Sequence, residues 1–357
     1  MIDCREFIPG RNTGIGRVLE GLIGALTESD YIHQIILAIT SFGPHLDPLI
    51  KNDKIQFTRI PSSFLYSELS ISRLCHRNAA LLISPYPKLP FFGCPCKTVH
   101  IIHDVLDLTF PPYKKRFRST FNAWRLKRAL HKADLTWYDS LWSLEESKKL
   151  AGWAGHNPKV RYPGIDDRFN TQKFNNQDET LARYHLQPGY ILVLGNGFPH
   201  KNLGILLDIS NTLTREIVFV GVSAAKQADW KLKYPYAKAR WIEHVPEDDL
   251  PVILKNAFCL AQPSVIEGYG YPPLEAMACG IPAIISDIPV LLETTGRNAL
   301  NANPHDSKKW LNQFRRLEDK TFYQIQISKG LEWIEPLRGI NGWKNHVRDI
   351  EELLKGD

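Results

Sequence analysis

The sequence predicts an α/β protein made of two Rossmann-like domains, and three observations predict it. The chain has 357 residues, beyond the ~250–300 at which a single hydrophobic core stops growing. Short apolar runs bounded by turn residues alternate with segments of helical period, as parallel strand and helix units require. That alternation stops and restarts around an Asn-rich stretch, 168–187, followed by Pro188-Gly189, which reads as a linker. With 43% hydrophobic and 23% charged residues the chain can fill both cores, which excludes a disordered chain.

In the first series 34–40, 80–84, 98–103 and 135–138 read as strands, and 16–26, 114–132 and 143–150 as helices. The second opens with a strand at 190–194 and a helix at 202–211, then a strand at 216–222. Strands at 258–261 and 282–286 flank a helix near 272–278, and 342–355 is a last amphipathic helix. The expected organisation is a first domain over 1–170, a second over 171–337, and a C-terminal helix, 338–357, packing back toward the first.

No apolar stretch follows a basic head, and no run approaches the ~18 apolar residues of a membrane span. The expectation is a cytoplasmic chain with neither signal peptide nor transmembrane helix. Cys4, Cys75, Cys94, Cys96, Cys259 and Cys279 are scattered, with one Cys-x-Cys and no Cys-x-x-Cys, so they read as reduced thiols. A formal charge of +6 suits an anionic partner, but it lacks the sustained Lys/Arg runs of a nucleic-acid binder. The densest basic segment, within 113–132, spaces Phe117, Phe121 and Trp124 at i, i+4 and i+7. Two readings follow: a solvated basic face over a core stripe, or contact with an anionic membrane surface or lipid-diphosphate acceptor.

The most informative stretch runs from Pro263 to Gly280 and holds Glu267 and Glu275, eight residues apart. Pro272 and Pro273 after the glycines suit a helix start, because proline there sacrifices no hydrogen bond. The free amides near Gly268, Tyr269, Gly270 and Tyr271 then sit at a positive helix end that can cradle phosphate. Glu275 is expected in the first turn. An isolated pair of this kind would be no more than helix-start acids, favourable by a few tenths to about one kcal/mol.

As a whole the string resembles the Glu-x7-Glu signature of the family 4 retaining glycosyltransferases, whose common wording is Glu-Gly-Phe-Gly-x-Pro-x-x-Glu-Ala-Met-Ala-x-Gly. Among the fixed positions only Phe changes, to Tyr269. The resemblance extends over nearly the whole chain. Asn12-Thr13-Gly14-Ile15-Gly16-Arg17 is similar to the family's glycine-rich turn, though by itself it would be a simple tight turn. His103-Asp104 resembles its His-Asp ending of a first-domain strand. Ala133-Asp134, Asp139-Ser140 and Pro163-Gly164-Ile165-Asp166 look like fold markers. The segment from Gly195 to Asn202 is similar to the phosphate-gripping loop after the second domain's first strand.

The resemblance implies a GT-B fold, two Rossmann-like domains facing across a cleft, and a retaining, metal-independent hexosyltransferase. It would use no cofactor other than its substrate, a UDP-sugar or, next, GDP-mannose, and a glycan or lipid-linked acceptor. It gives His103, Glu267 and Lys201 to the reacting centre. Donor binding falls to Gly14, Ile15, Gly16, Asn196, Gly197, His200, Lys201, Ser264, Gly268, Tyr269, Gly270, Tyr271 and Glu275, with Glu275 on the ribose hydroxyls and Glu267 on the donor sugar. The chain departs from relatives that carry arginines near Asn196 and at His200; either neutral hydrogen bonds and helix dipoles suffice, or a protonated His200 contributes. No Asp-x-Asp motif of a metal-bridged diphosphate site is present. A dinucleotide oxidoreductase would need Gly-x-Gly-x-x-Gly and an acid ~20 residues on, which the sequence lacks. A nucleotide-sugar-binding protein with little transferase activity is the remaining alternative.

Overall fold

The computed structural model describes residues 1–7, 13–43, 46–86 and 89–356, apart from the side chains at 47, 48 and 116; Asn12 of the glycine-rich turn lies outside them. The chain divides into two compact units, Met1–Gly164 with Gly339–Asp357, and Ile165–Arg338. Residues 168–187 fall wholly inside the second unit. They carry a helix, Gln177–Arg183, with Asp178 and Glu179 in its first turn and Thr180 and Leu181 buried, an arrangement the helix dipole favours.

The first unit holds seven parallel strands: β1 (Ile2–Asp3), β2 (Ile35–Ile39), β3 (Ile55–Arg59), β4 (Leu81–Ser84), β5 (Lys97–Ile102), β6 (Leu135–Tyr138) and β7 (Pro158–Val160). Their order is β3-β2-β1-β4-β5-β6-β7. All residues of β2, β4 and β6 are buried, which explains why these strands read as continuous apolar runs: helices cover both faces of a parallel sheet. The second unit repeats the plan with β8 (Tyr190–Leu194), β9 (Ile217–Val220), β10 (Ala239–Ile242), β11 (Ala257–Gln262), β12 (Ala283–Ser286) and β13 (Leu300–Ala302), ordered β10-β9-β8-β11-β12-β13. Its core joins Val193, Phe219, Cys259 and Ile284 to Trp310 and Phe314. In each sheet the strand order reverses beside the first strand, between β1 and β4 and between β8 and β11. Ligands of open α/β sheets bind at the carboxyl ends of strands flanking such a reversal.

The helix Lys344–Lys355 belongs to the first unit. Its buried Asp349 accepts from Trp137 Nε1 at 3.0 Å, Lys159 Nζ at 2.8 Å and Arg161 Nε at 2.8 Å. Just before it, Trp343 packs on two glycines: an added Cβ would come within 2.6 Å of its ring at Gly21 and 2.4 Å at Gly164. Glycine at both positions lets the indole close onto backbone.

The basic segment forms a helix, Arg116–Lys132, but Phe117, Phe121 and Trp124 do not make a core stripe. They are 87%, 43% and 48% exposed. The buried stripe runs instead through Leu126, Ala129, Leu130 and Ala133, a second i, i+3, i+4, i+7 set rotated around the same helix. Phe91 stacks on Phe121 and Trp124 with ring centroids 6.5 and 5.8 Å away, and meets Phe64 edge-on at 5.7 Å. Arg125 and Arg128 lie over the Phe121 and Phe91 rings. The result is an aromatic face rimmed by cations.

Candidate functional site

In the second unit the reversal between β8 and β11 carries both loops that the sequence singles out. After β8, the turn Pro199–Lys201 ends at Asn202, whose φ is +51°. Asn202 Nδ2 donates to the carbonyls of Pro263 at 3.0 Å and Pro304 at 2.7 Å, and Val265 N donates to the His200 carbonyl at 2.9 Å. These bonds clip the β8 loop to the loop after β11 and to the segment after β13. Gly197 has φ +68°, and a Cβ there would stand 3.0 Å from Val222 Cγ1, so the tight turn requires glycine. Asn196 Oδ1 accepts from Phe198 N at 3.1 Å, a local bond that closes this turn.

The clipped loops bring Lys201 and Glu267 together. Glu267 Oε1 accepts from Lys201 Nζ at 2.7 Å, Ser264 Oγ at 2.6 Å and Gln262 Nε2 at 2.7 Å; Gln262 also donates to Ser264 Oγ at 3.1 Å. All three bonds land on one oxygen, and Oε2 takes none of them. Glu267 is 7% exposed. Burial opposes its ionisation, but the Lys201 ammonium and the hydroxyl of Ser264 outweigh burial and hold the carboxyl below its usual range. Beside them, burial and the Lys201 charge push His200 down to about 4. Its imidazole is therefore neutral near pH 7.

Gly270 caps the helix Tyr271–Ala278 with φ +95°, where a Cβ would come within 2.4 Å of Leu291 Cδ2. Because the helix starts at Tyr271, one residue before the prolines, Glu275 stands in the second turn rather than the first. It is 1% exposed. Tyr269 and Tyr271 meet edge to face at 5.1 Å, and the Tyr269 carbonyl accepts from Thr294 Oγ1 at 3.1 Å. A cavity of about 740 Å³ in this unit includes Gly197, Asn202, Lys226, Trp230 and His305 but none of Lys201, Glu267 and Glu275.

In the first unit His103 follows β5, and its Nδ1 lies 2.6 Å from Asp139 Oδ2. Burial lowers its pKa, but Asp139 more than compensates and the net shift is upward. The Ser143 hydroxyl donates to the His103 carbonyl at 2.9 Å, while Ser140 caps the helix Leu141–Ala151 through Ser143 N at 3.1 Å. Asp139 is thus more than a fold marker: it orients the His103 ring. Gly14, Ile15 and Gly16 form the first turn of the helix Gly14–Thr27, where Thr13 Oγ1 accepts from Gly16 N at 3.0 Å. That cap satisfies the Gly16 amide.

Reasoning from sequence missed Gln262 and the role of Asp139. Both were findable as polar residues at the ends of apolar strands, Gln262 closing β11 and Asp139 following β6.

Two Rossmann-like units, one with a buried ion-paired carboxylate at its strand-order reversal, define the class. Residues 178–329, within the second unit, match the family model for glycosyl transferases group 1, and the chain has the GT-B fold. It is similar to O-antigen chain mannosyltransferase B of Escherichia coli, 28% identical over 66% of this chain and 65% of that one. It is also similar to O-antigen chain mannosyltransferase RfbU of Salmonella typhimurium, 30% identical over 36% and 38% of the two chains. A serotype-specific mannosyltransferase, WbdA of Escherichia coli, is 30% identical over 66% of this chain and 31% of its own. The chain thus spans less than two thirds of the length of each of these relatives. Among solved structures, sucrose-phosphate synthase from Thermosynechococcus elongatus superposes with a TM-score of 0.76 at 16% identity, covering 99% of this chain and 97% of that one. Anabaena HepE in complex with UDP gives 0.75 at 16%, covering 100% and 99%. Among the described residues no helix is long and apolar enough to cross a membrane.

Proposed function

We propose that this chain transfers a hexose from a nucleotide diphosphate sugar to a glycan or lipid-linked acceptor, with retention and without a metal ion. The observation that carries the reading is Glu267, a buried carboxylate held by Lys201, Ser264 and Gln262 at the β8/β11 reversal. In such a transfer positive charge grows on the sugar and negative charge on the departing diphosphate, and a fixed array of opposite charges lowers that barrier without reorganising. Lys201 serves the diphosphate together with the amides of 268–271 at a helix N-terminus. Glu267 Oε2 takes a hydroxyl of the donor sugar, and Glu275 takes the ribose.

Three hydrogen bonds on Oε1 and a lowered pKa make Glu267 a poor nucleophile and a good anchor. Same-face attack, in which the leaving phosphate accepts the acceptor's proton, fits such a carboxylate better than double displacement. By family resemblance His103 orients a donor hydroxyl, its ring held by Asp139. The mannosyl names of the relatives favour GDP-mannose over a UDP-sugar as donor. The exposed face of Phe121 and Trp124 with its arginines suits an anionic membrane surface, where amphipathic helices bury aromatic side chains; vesicles containing phosphatidylglycerol should sediment the wild type and release a Phe121→Ala/Trp124→Ala variant.

The transfer reading is tested by incubating the chain with GDP-mannose and, separately, UDP-glucose in excess chelator, with an O-antigen-type oligosaccharide acceptor. The expected product keeps the donor's anomeric configuration. An inverted product overturns the retaining mechanism, activity that needs magnesium or manganese overturns the metal-free one, and nucleotide-sugar binding without any transfer makes the chain a binding protein.

A further inference from the structure

Cys75 lies in the last turn of the helix Phe64–Arg77, while Cys94 and Cys96 precede β5. Nothing in their sequence spacing joins the first to the other two. Folding brings all three sulfurs within 4.8 Å of one another, and Cys94 Sγ lies 3.4 Å from Cys96 Sγ. Cys75 is buried and the other two are half-buried, with Ile71, Leu82 and Leu89 in the same cluster and the Met1 amino group near enough to act on all three thiols. Among the described residues no His, Asp or Glu joins the set.

We propose that Cys75, Cys94 and Cys96 bind one thiophilic divalent ion of the zinc type, with solvent as its fourth ligand. Zinc bonds thiolate sulfur at ~2.3 Å in a tetrahedron, which sets its sulfurs ~3.8 Å apart, inside the 4.8 Å limit that holds all three sulfurs here. Thiolates select soft and borderline ions over magnesium or calcium. A disulfide would use two sulfurs; here a third converges from a separate element, as a three-thiolate site needs. Each thiol gives its proton to solvent as it binds.

The ion would fasten the segment before β5 to the helix Phe64–Arg77. That segment is already tied by Ser72 Oγ donating to the Gly93 carbonyl at 2.7 Å and by Arg128 donating to the carbonyls of Leu89 and Pro90. It also carries Phe91, the centre of the aromatic face. The ion's place is structural, and it stands whether or not the chain transfers sugar.

The test is a cobalt(II) titration of the full, reduced, metal-stripped chain under anaerobic conditions. One equivalent should give a sulfur-to-cobalt charge-transfer band and intense tetrahedral visible bands, both bleached by zinc. Cys75→Ser, Cys94→Ser and Cys96→Ser should each weaken binding at least ~100-fold, the top of the range for losing an outer-shell partner, while Cys259→Ala should not. Should a variant fail to fold, alkylation of the wild type decides: zinc should protect these three of the six cysteines. Absence of a charge-transfer band, a band that survives Cys75→Ser in a folded chain, or a disulfide within the trio in the chain purified with zinc present and no added oxidant overturns the proposal.

Discussion

Lys201→Met probes the cluster at its most loaded contact. The wild-type ammonium stands 2.7 Å from Glu267 Oε1, with side chains 15% and 9% exposed. Removing one partner of a buried pair costs about 3–5 kcal/mol, because the other charge is left without compensation. Ser264 and Gln262 still donate to the same oxygen, so the lower end applies, about 3 kcal/mol at pH 7.5. In the wild type the folded pKa of Glu267 is depressed. Its stabilisation is therefore complete above the unfolded carboxylate pKa and is lost as pH falls through the folded value. In the variant burial acts without the ammonium, the carboxyl pKa rises above its unfolded value, and protonation relieves the cost in acid. Urea unfolding of wild type, Lys201→Met, Glu267→Gln and the double variant should give a gap that narrows by about 1 kcal/mol or more between pH 7.5 and 5. It should also give a coupling of about 2 kcal/mol. Equal costs at both pH values, with additive single effects, would refute this account of the pair.

Gly270→Ala should destabilise by about 2 kcal/mol or more, since φ is +95° and the new methyl meets Leu291 Cδ2 at 2.4 Å; a companion Leu291→Ala in differential scanning calorimetry should give a coupling of opposite sign to the Gly270→Ala cost. Asp139→Asn should lower the His103 pKa, read from imidazole proton shifts. The wild type's raised value gives stability that is present below the unfolded histidine pKa and lost as pH rises through the folded one, and the variant should lose it. Asp349→Asn leaves Lys159 and Arg161 facing a neutral amide and should cost about 3 kcal/mol. Burial opposes the Asp349 charge, but Arg161 and Lys159 prevail and lower its pKa, so the wild type's advantage should be present above the unfolded carboxylate range and fade as pH falls through the folded value.

The strands most plainly written in the sequence are those buried on both faces. Tyr190–Leu194 is apolar throughout and Leu135–Tyr138 is apolar but for Thr136, and their limits in the structure are those the sequence predicts. The edge strands β3 and β10 are half-exposed and mix polar with apolar residues, so no apolar run marks them. β1 is two residues long, too short for any periodicity. Motif residues were legible as a string; their partners were not. Glu267 and Lys201 are 66 positions apart and His103 and Asp139 are 36 apart, separations that only strand order closes. The orientation of the Arg116–Lys132 helix was ambiguous because it carries two stripes of helical period, and packing chose Leu126 and Leu130 over Phe121 and Trp124.

The central claim is that the second unit holds a nucleotide sugar through Glu275 and the Lys201–Glu267 pair without metal. A thermal-shift measurement with GDP-mannose and UDP-sugars in excess chelator tests it most directly. At a hundredfold the dissociation constant a ligand adds about 2.7 kcal/mol, so the wild type should shift with one base, Glu275→Ala should lose the shift, and Glu267→Gln should retain most of it while turnover falls. No shift with any nucleotide sugar, or equal shifts in the wild type and Glu275→Ala, would contradict the account.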